Sequence, residues 1–171
     1  MKPNSEKNES VNNDKTDIQR LCEGKLVYRN SKLCMTKDLG LHGNMFGGKM
    51  MALLDEVASI FASEICDTPR IVTKKIEEVI FNRPVKVGQI IKIYCGIERI
   101  GNTSLTLNIE ARVYNVYTEQ ESLVCSTRMM FVKIDNEGNP IPISDKIKTK
   151  FEKRVPNETV QETVVQEEIL H

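Results

Sequence analysis

A lone aspartate, Asp55, lies in a run of apolar residues with helical spacing, seven positions after the glycine pair Gly47-Gly48. A carboxylate can take a proton from water or attack a carbonyl carbon directly. Glycine at a helix start lets a ligand approach the backbone closely. The first-turn N–H groups of a helix have no partner within it and carry partial positive charge. They can hold a phosphate or the oxygen of a polarised carbonyl. The two features together describe an electrophile at a helix tip and a base two turns further on.

Residues 43–65 read as the N-terminus and body of one buried helix. Within residues 49–66, Met50, Leu53, Leu54, Val57, Ile60 and Phe61 recur at three- and four-residue spacing. Residues seven apart nearly superpose, so Lys49, Glu56 and Ser63 form one polar line facing solvent. Asp55 lies about 100° away from that line. Its helical neighbours are Gly48, Met51, Ala58, Ser59 and Ala62. A carboxylate in that company is costly unless it is hydrogen-bonded, paired or used. Helix geometry leaves two readings open: a structural Asp55 paired with an Arg or Lys of a sheet, or a reactive one. The loop before the helix, Gly43-Asn44-Met45-Phe46-Gly47-Gly48, has neither the Walker lysine-serine pattern nor the Rossmann order, so it is no nucleotide fingerprint.

The elements that must position this helix are strands. Residues 25–35 read as the first, before the glycine-rich loop 38–48. Asp67, Thr68 and Pro69 end the helix. Four more strand-like runs follow at 71–83, 90–100, 104–117 and 122–134, separated by short turns. The third alternates most cleanly, with Leu105, Leu107, Ile109, Ala111 and Val113 on one face and Thr106, Asn108, Glu110 and Arg112 on the other. Hairpin-length connections predict an antiparallel sheet. One apolar helix beside one large sheet predicts an α+β fold in which the sheet wraps the helix.

Composition bounds the rest. The 171 residues suffice for one domain with a sizeable core. The formal net charge of zero gives no global attraction to nucleic acid or an acidic membrane. No run approaches the ~18 apolar residues of a membrane span, and the start has no signal-peptide core. Five cysteines at wide spacings, with no Cys-x-x-Cys and two histidines, read as reduced core residues rather than a metal site. A cytoplasmic protein without nucleic-acid or membrane partners is the expectation. Residues 1–22 are expected to be a disordered tail, 23–143 the domain, and 144–171 a short basic helix near 146–153 followed by a loosely ordered tail.

The stretch HGNMFGGKMMALLDEVASIFA, residues 42–62, resembles the central-helix motif of hotdog-fold acyl-CoA thioesterases. The resemblance runs on through Val72-Thr73, Phe81-x-Arg83-Pro84-Val85-x-Val87-Gly88, IGNTSLTLNIEARV and FVKIDNEGNPIPI, and covers residues 25–143. It implies a sheet wrapped around the long helix, a homodimer paired edge to edge, and in larger forms a hexamer built as a trimer of dimers. It implies hydrolysis of acyl-CoA to a free acid and CoA, with no cofactor and no metal, CoA entering as part of the substrate. Asp55 stands at the acidic catalytic position, and Gly47 and Gly48 where backbone N–H groups polarise the thioester carbonyl.

The chain departs from the family pattern at Gly40, where short-chain members carry an Asn; His42 and Asn44 are the polar residues beside it, Asn44 a candidate catalytic group and either one a candidate to position the water in place of that Asn. Ser59, one turn beyond Asp55, is a candidate hydrogen-bond partner for the carboxylate or its water. Arg83, Lys74, Lys75 and Arg128 are candidates for the CoA phosphates, and the turn Gly101-Asn102-Thr103-Ser104 for the nucleotide. Two other readings compete. A non-catalytic acyl-CoA sensor would use the same pocket. A hydratase would need a His–acid pair at the helix end, whereas the internal His42 precedes the glycines.

Overall fold

The alternating run of residues 104–117 becomes the middle of an antiparallel sheet. The computed structural model describes Asp17 and residues 19–152. Its strands are β1 (Val27–Leu33), β2 (Ile71–Ile76), β3 (Ile80–Phe81), β4 (Ile90–Ile100), β5 (Ser104–Tyr114) and β6 (Glu121–Lys133). They pair in the order β1-β4-β5-β6-β2, with β3 also on β6. Helix α1 (Gly47–Cys66) lies against the concave face, and α2 (Asp145–Glu152) follows the last strand. This is the α+β hotdog arrangement that the resemblance implies.

The register makes the core. Leu107 faces Ile97 on one side and Met129 on the other, and Leu105 faces Phe131. These residues and Ile91, Ile93, Cys95, Ile109 and Ala111 are buried against Met50, Leu54, Val57, Ala58, Phe61 and Ala62 of α1. Burying such side chains contributes about 1.5–3 kcal/mol each and fixes which helix face meets the sheet. The helix ends where Asp67 takes a left-handed conformation (φ 50°) and Thr68 N–H returns to the Ser63 carbonyl. All five cysteines are buried and free.

Three expectations are corrected. The run 71–83 is two strands, not one. Ile76 faces Met129 and Ile80 faces Ser126, so this chain spends one residue more than β6 over the same span and the ladder breaks between them. Ile60 is 53% exposed rather than core, because it shares a line with Glu56 and Glu64, away from the sheet. The boundary at residue 22 falls too late: residues 19–22 form a helical turn in which Leu21 and Cys22 are buried. The Cys22 thiol lies 3.7 Å from the Lys150 carbonyl of α2, whose Ile147 and Phe151 are also buried. Residues 1–16, 18 and 153–171, where the tails were expected, lie outside the described residues. No helix among the described residues is long and apolar enough to cross a membrane.

Candidate active site

The helix tip is delivered by a loop that Asp38 fastens. The Asp38 carboxylate accepts from Met35 N–H (2.9 Å) and pairs with Lys32 Nζ (2.8 Å), while its carbonyl accepts from Phe46 N–H (2.8 Å). The Lys32 ammonium and the Met35 amide hold the Asp38 carboxyl below its ordinary range. Met45 N–H is anchored on the Val85 carbonyl (2.8 Å), and Leu39 and Met45 form an antiparallel bridge. Inside that bridge Gly40 N–H donates to the Asn44 carbonyl (2.8 Å), and Gly43 takes φ +67° to close the turn.

From Phe46 the chain enters α1 without a side-chain cap. Lys49 and Met50 N–H both return to the Phe46 carbonyl. No described group accepts from the N–H of Gly47 or Gly48. A Cβ on Gly48 would stand 2.6 Å from the Phe46 ring, which folds back over the first turn; one on Gly47 would meet the Phe81 ring at 3.5 Å. A side chain at the second glycine would have to shift the exposed Phe46 ring, while the first is compatible with a methyl group.

Asp55 is half-buried on α1, and its Oδ1 accepts from the Thr73 hydroxyl at 2.7 Å. No ion pair reaches it among the described residues. Its partner is thus a neutral hydroxyl on β2 and not a cation of the sheet. Thr73 was not singled out as a site residue from the sequence. The available signal was strand alternation, which turns Ile71 and Thr73 toward the helix.

The other candidates divide. Asn44, Gly47 and Arg83 line one cavity of about 400 Å³ with Met45, Met50, Phe81, Val85 and Val124. His42, Asn44 and Gly47 line a neighbouring one of about 340 Å³. Ser59 does not bond Asp55; its carbonyl accepts from the Ser63 hydroxyl (2.9 Å). Thr103 and Ser104 sit in the β4–β5 turn, where the Thr103 carbonyl accepts from Lys133 N–H (3.0 Å) and the Ser104 carbonyl from Gly101 N–H (2.7 Å). They are not brought to the helix tip. Arg128 is held by Glu77 (2.5 Å) and Glu98 (3.0 Å), and Lys75 by Glu77 (3.2 Å). Of the four cations considered for phosphate, Arg83 is the one that lines the helix-tip cavity. No cluster of metal-ligating side chains occurs among the described residues.

Comparison with known proteins gives a consistent picture. The Thioesterase superfamily model matches residues 42–120. The acyl-CoA thioester hydrolase YciA of Salmonella typhimurium is 34% identical over 131 residues, covering 75% of this chain and 96% of the relative. The hexameric thioesterase of Yersinia pestis superposes with a TM-score of 0.64 at 29% identity, covering 69% of this chain and 95% of that one. The acyl-CoA hydrolase of Staphylococcus aureus, solved with butyryl coenzyme A, gives 0.65 at 26% identity, covering 77% and 82%. That hydrolase has also been solved with single alanine substitutions of an asparagine, an aspartate and a threonine.

Proposed function

The chain belongs to the thioesterase superfamily, and on that premise we propose that it hydrolyses the thioester of acyl-CoA to a free carboxylic acid and CoA. The observation that carries this reading is Asp55: a half-buried carboxylate among apolar helix residues, bonded to Thr73 and paired with no cation among the described residues. A charge kept in such a place without an ion pair is available to take a proton from water.

Asp55 acts as the general base on the attacking water. The N–H groups of Gly47 and Gly48 face the thioester oxygen and stabilise the charge that develops there. Thr73 orients the base. A rise of 1.5 Å per residue separates Asp55 from Gly48 by about 10 Å along one helix. The hotdog thioesterases that the chain resembles place the site at the dimer interface with groups from both protomers, and on that resemblance the glycines are assigned to one protomer and the aspartate to another, in at least a homodimer. The exposed apolar side chains of Phe46, Met51, Ile60, Val72, Ile80 and Phe81 supply a surface for that pairing. The trimer-of-dimers form is supported by the hexameric Yersinia thioesterase. Arg83 is assigned to the CoA phosphates and His42 to the mouth of the pocket, where it is exposed. Thr103 and Ser104 face the nucleotide, beside the start of the strand that carries Thr73. Ser59, one turn beyond Asp55, is assigned to the substrate side.

The test is release of free thiol from a panel of acyl-CoAs. Wild type releases it, and Asp55→Asn binds the same acyl-CoAs without release. Stable wild-type complexes with no thiol released would make the protein an acyl-CoA sensor instead.

A further inference from the structure

Among the described residues one buried side-chain polar atom has no hydrogen-bond partner: Oδ1 of Asn44. No described group accepts from its NH2 either. The carbonyl of the same residue holds the loop by accepting from Gly40 N–H, next to the Leu39–Met45 bridge. Position 44 is thus fixed by its backbone, while its carboxamide does nothing for the fold. Buried polar groups are nearly always paired, and one left unpaired is destabilising. The side chain as a whole is thus unbound by the described residues, and its NH2, the donor half, is free to serve a group outside the chain.

Its location says what that is. Asn44, Met45 and Gly47 are the residues common to the two cavities at the tip of α1. Asn44 supplies the polar side chain of the shared wall, next to the helix tip whose free N–H groups attract an oxygen. Its own oxygen is the half turned inward, so the NH2 is the half left to reach the cavity. Across the bridged loop, Gly40 has no side chain to offer, although a Cβ there would meet Phe46 at an ordinary 3.6 Å.

Building on the thioesterase reading above, we propose that Asn44 contacts the substrate, its NH2 donating to the thioester carbonyl oxygen beside the N–H groups of Gly47 and Gly48. A donor aimed at that oxygen bonds more strongly as negative charge builds on it, and so lowers the barrier rather than tightening ground-state binding.

Steady-state thiol release and urea unfolding of the full chain test this with Asn44→Ala, Asn44→Asp and the Asp55→Asn control. Asn44→Ala is expected to lower kcat by about 100-fold, in line with loss of one oxyanion donor, with KM within about threefold. Its urea midpoint stays level or rises, since no structural bond is lost. Asn44→Asp falls at least as far, because a carboxylate opposes the developing charge. The role of Asn44 is overturned if Asn44→Ala keeps wild-type kcat, or if its loss of turnover comes with a lowered urea midpoint. Wild-type turnover by Asn44→Asp overturns it too, since an acceptor for water would survive that change and a donor would not. If wild type itself releases no thiol, the thioesterase reading falls and this one with it. If wild type turns over and Asp55→Asn does not, failure of Asn44→Ala to matter removes Asn44 alone.

Discussion

The face of the sheet turned away from α1 and the tip of α1 treat polar groups in opposite ways. On the outer face Glu121 accepts from Lys92 Nζ (2.9 Å) and the Tyr94 hydroxyl (2.7 Å), with Arg112 at 3.6 Å. Arg112 also bonds Glu110 (2.6 Å) and lies over the Tyr94 ring, while Lys92 lies over Tyr114. Burial alone would raise the Glu121 carboxyl, but the Tyr94 hydroxyl and the Lys92 ammonium hold it below its usual range. Burial and the neighbouring Glu121 push Tyr94 up to about 12. Each of these charges has its complement within the chain. At the helix tip the Gly47 and Gly48 N–H groups and the Asn44 amide have none, and Asp55 has only a hydroxyl. The first region spends its polar groups on the fold. The second leaves them unpaired among the described residues, as the proposed binding and release of a polar substrate there would use.

Substitutions should separate the two regions. The largest effect is expected from Asp55→Asn: kcat for thiol release falls by about 10³-fold, within the range for loss of a general base, with unchanged acyl-CoA affinity by calorimetry. Gly48→Ala comes next. Its methyl group displaces the exposed Phe46 ring that covers the first turn and changes the shape of the helix tip, costing about tenfold in kcat, whereas Gly47→Ala loses far less. Equal losses from the two glycines would break the assignment of a close approach to Gly48. Thr73→Ala removes one bond to a carboxylate and lowers kcat by about tenfold, and Thr73→Ser restores it. The smallest effect on activity is expected from the outer face. Glu121→Gln leaves turnover intact and lowers stability by about 1 kcal/mol in urea unfolding. Because Glu121 is held below its ordinary value in the folded state, its contribution is complete above the usual carboxylate range. It is lost as pH falls through the lowered value, so the gap between wild type and variant closes in acid. A variant that lost activity but not stability would place Glu121 with the helix tip instead.

What could be read from residue order follows the range of the interaction. The β5 alternation and the α1 period are local, and both elements form where that spacing places them. The break between β2 and β3 is set by the register of β6, some 50 residues away, and leaves no mark in the run 71–83 itself. Ile60 fits the apolar period at three residues from Val57, yet sits in line with Glu56 and Glu64. Its neighbours along the helix settle its exposure, and the period alone does not. Asp55 and the glycine pair stood out because a helix fixes what surrounds each position. Thr73 and Asp38 did not, since a polar residue in a strand or loop reads as solvated until its partner across the fold is seen.

The buried cysteines have a chemical corollary. Hydrolysis of acyl-CoA releases a thiol at every turnover, and thiol–disulfide exchange proceeds through the thiolate. Burial raises Cys66 to about 11, Cys95 to about 12 and Cys125 to about 11, and raises Cys34 as well. Cys22 is buried too. At neutral pH Cys66, Cys95 and Cys125 are protonated, and all five side chains are shielded by burial. The folded protein is therefore a poor partner for mixed disulfides with its own product, and a thiol reagent added to the native enzyme reports on CoA rather than on the protein.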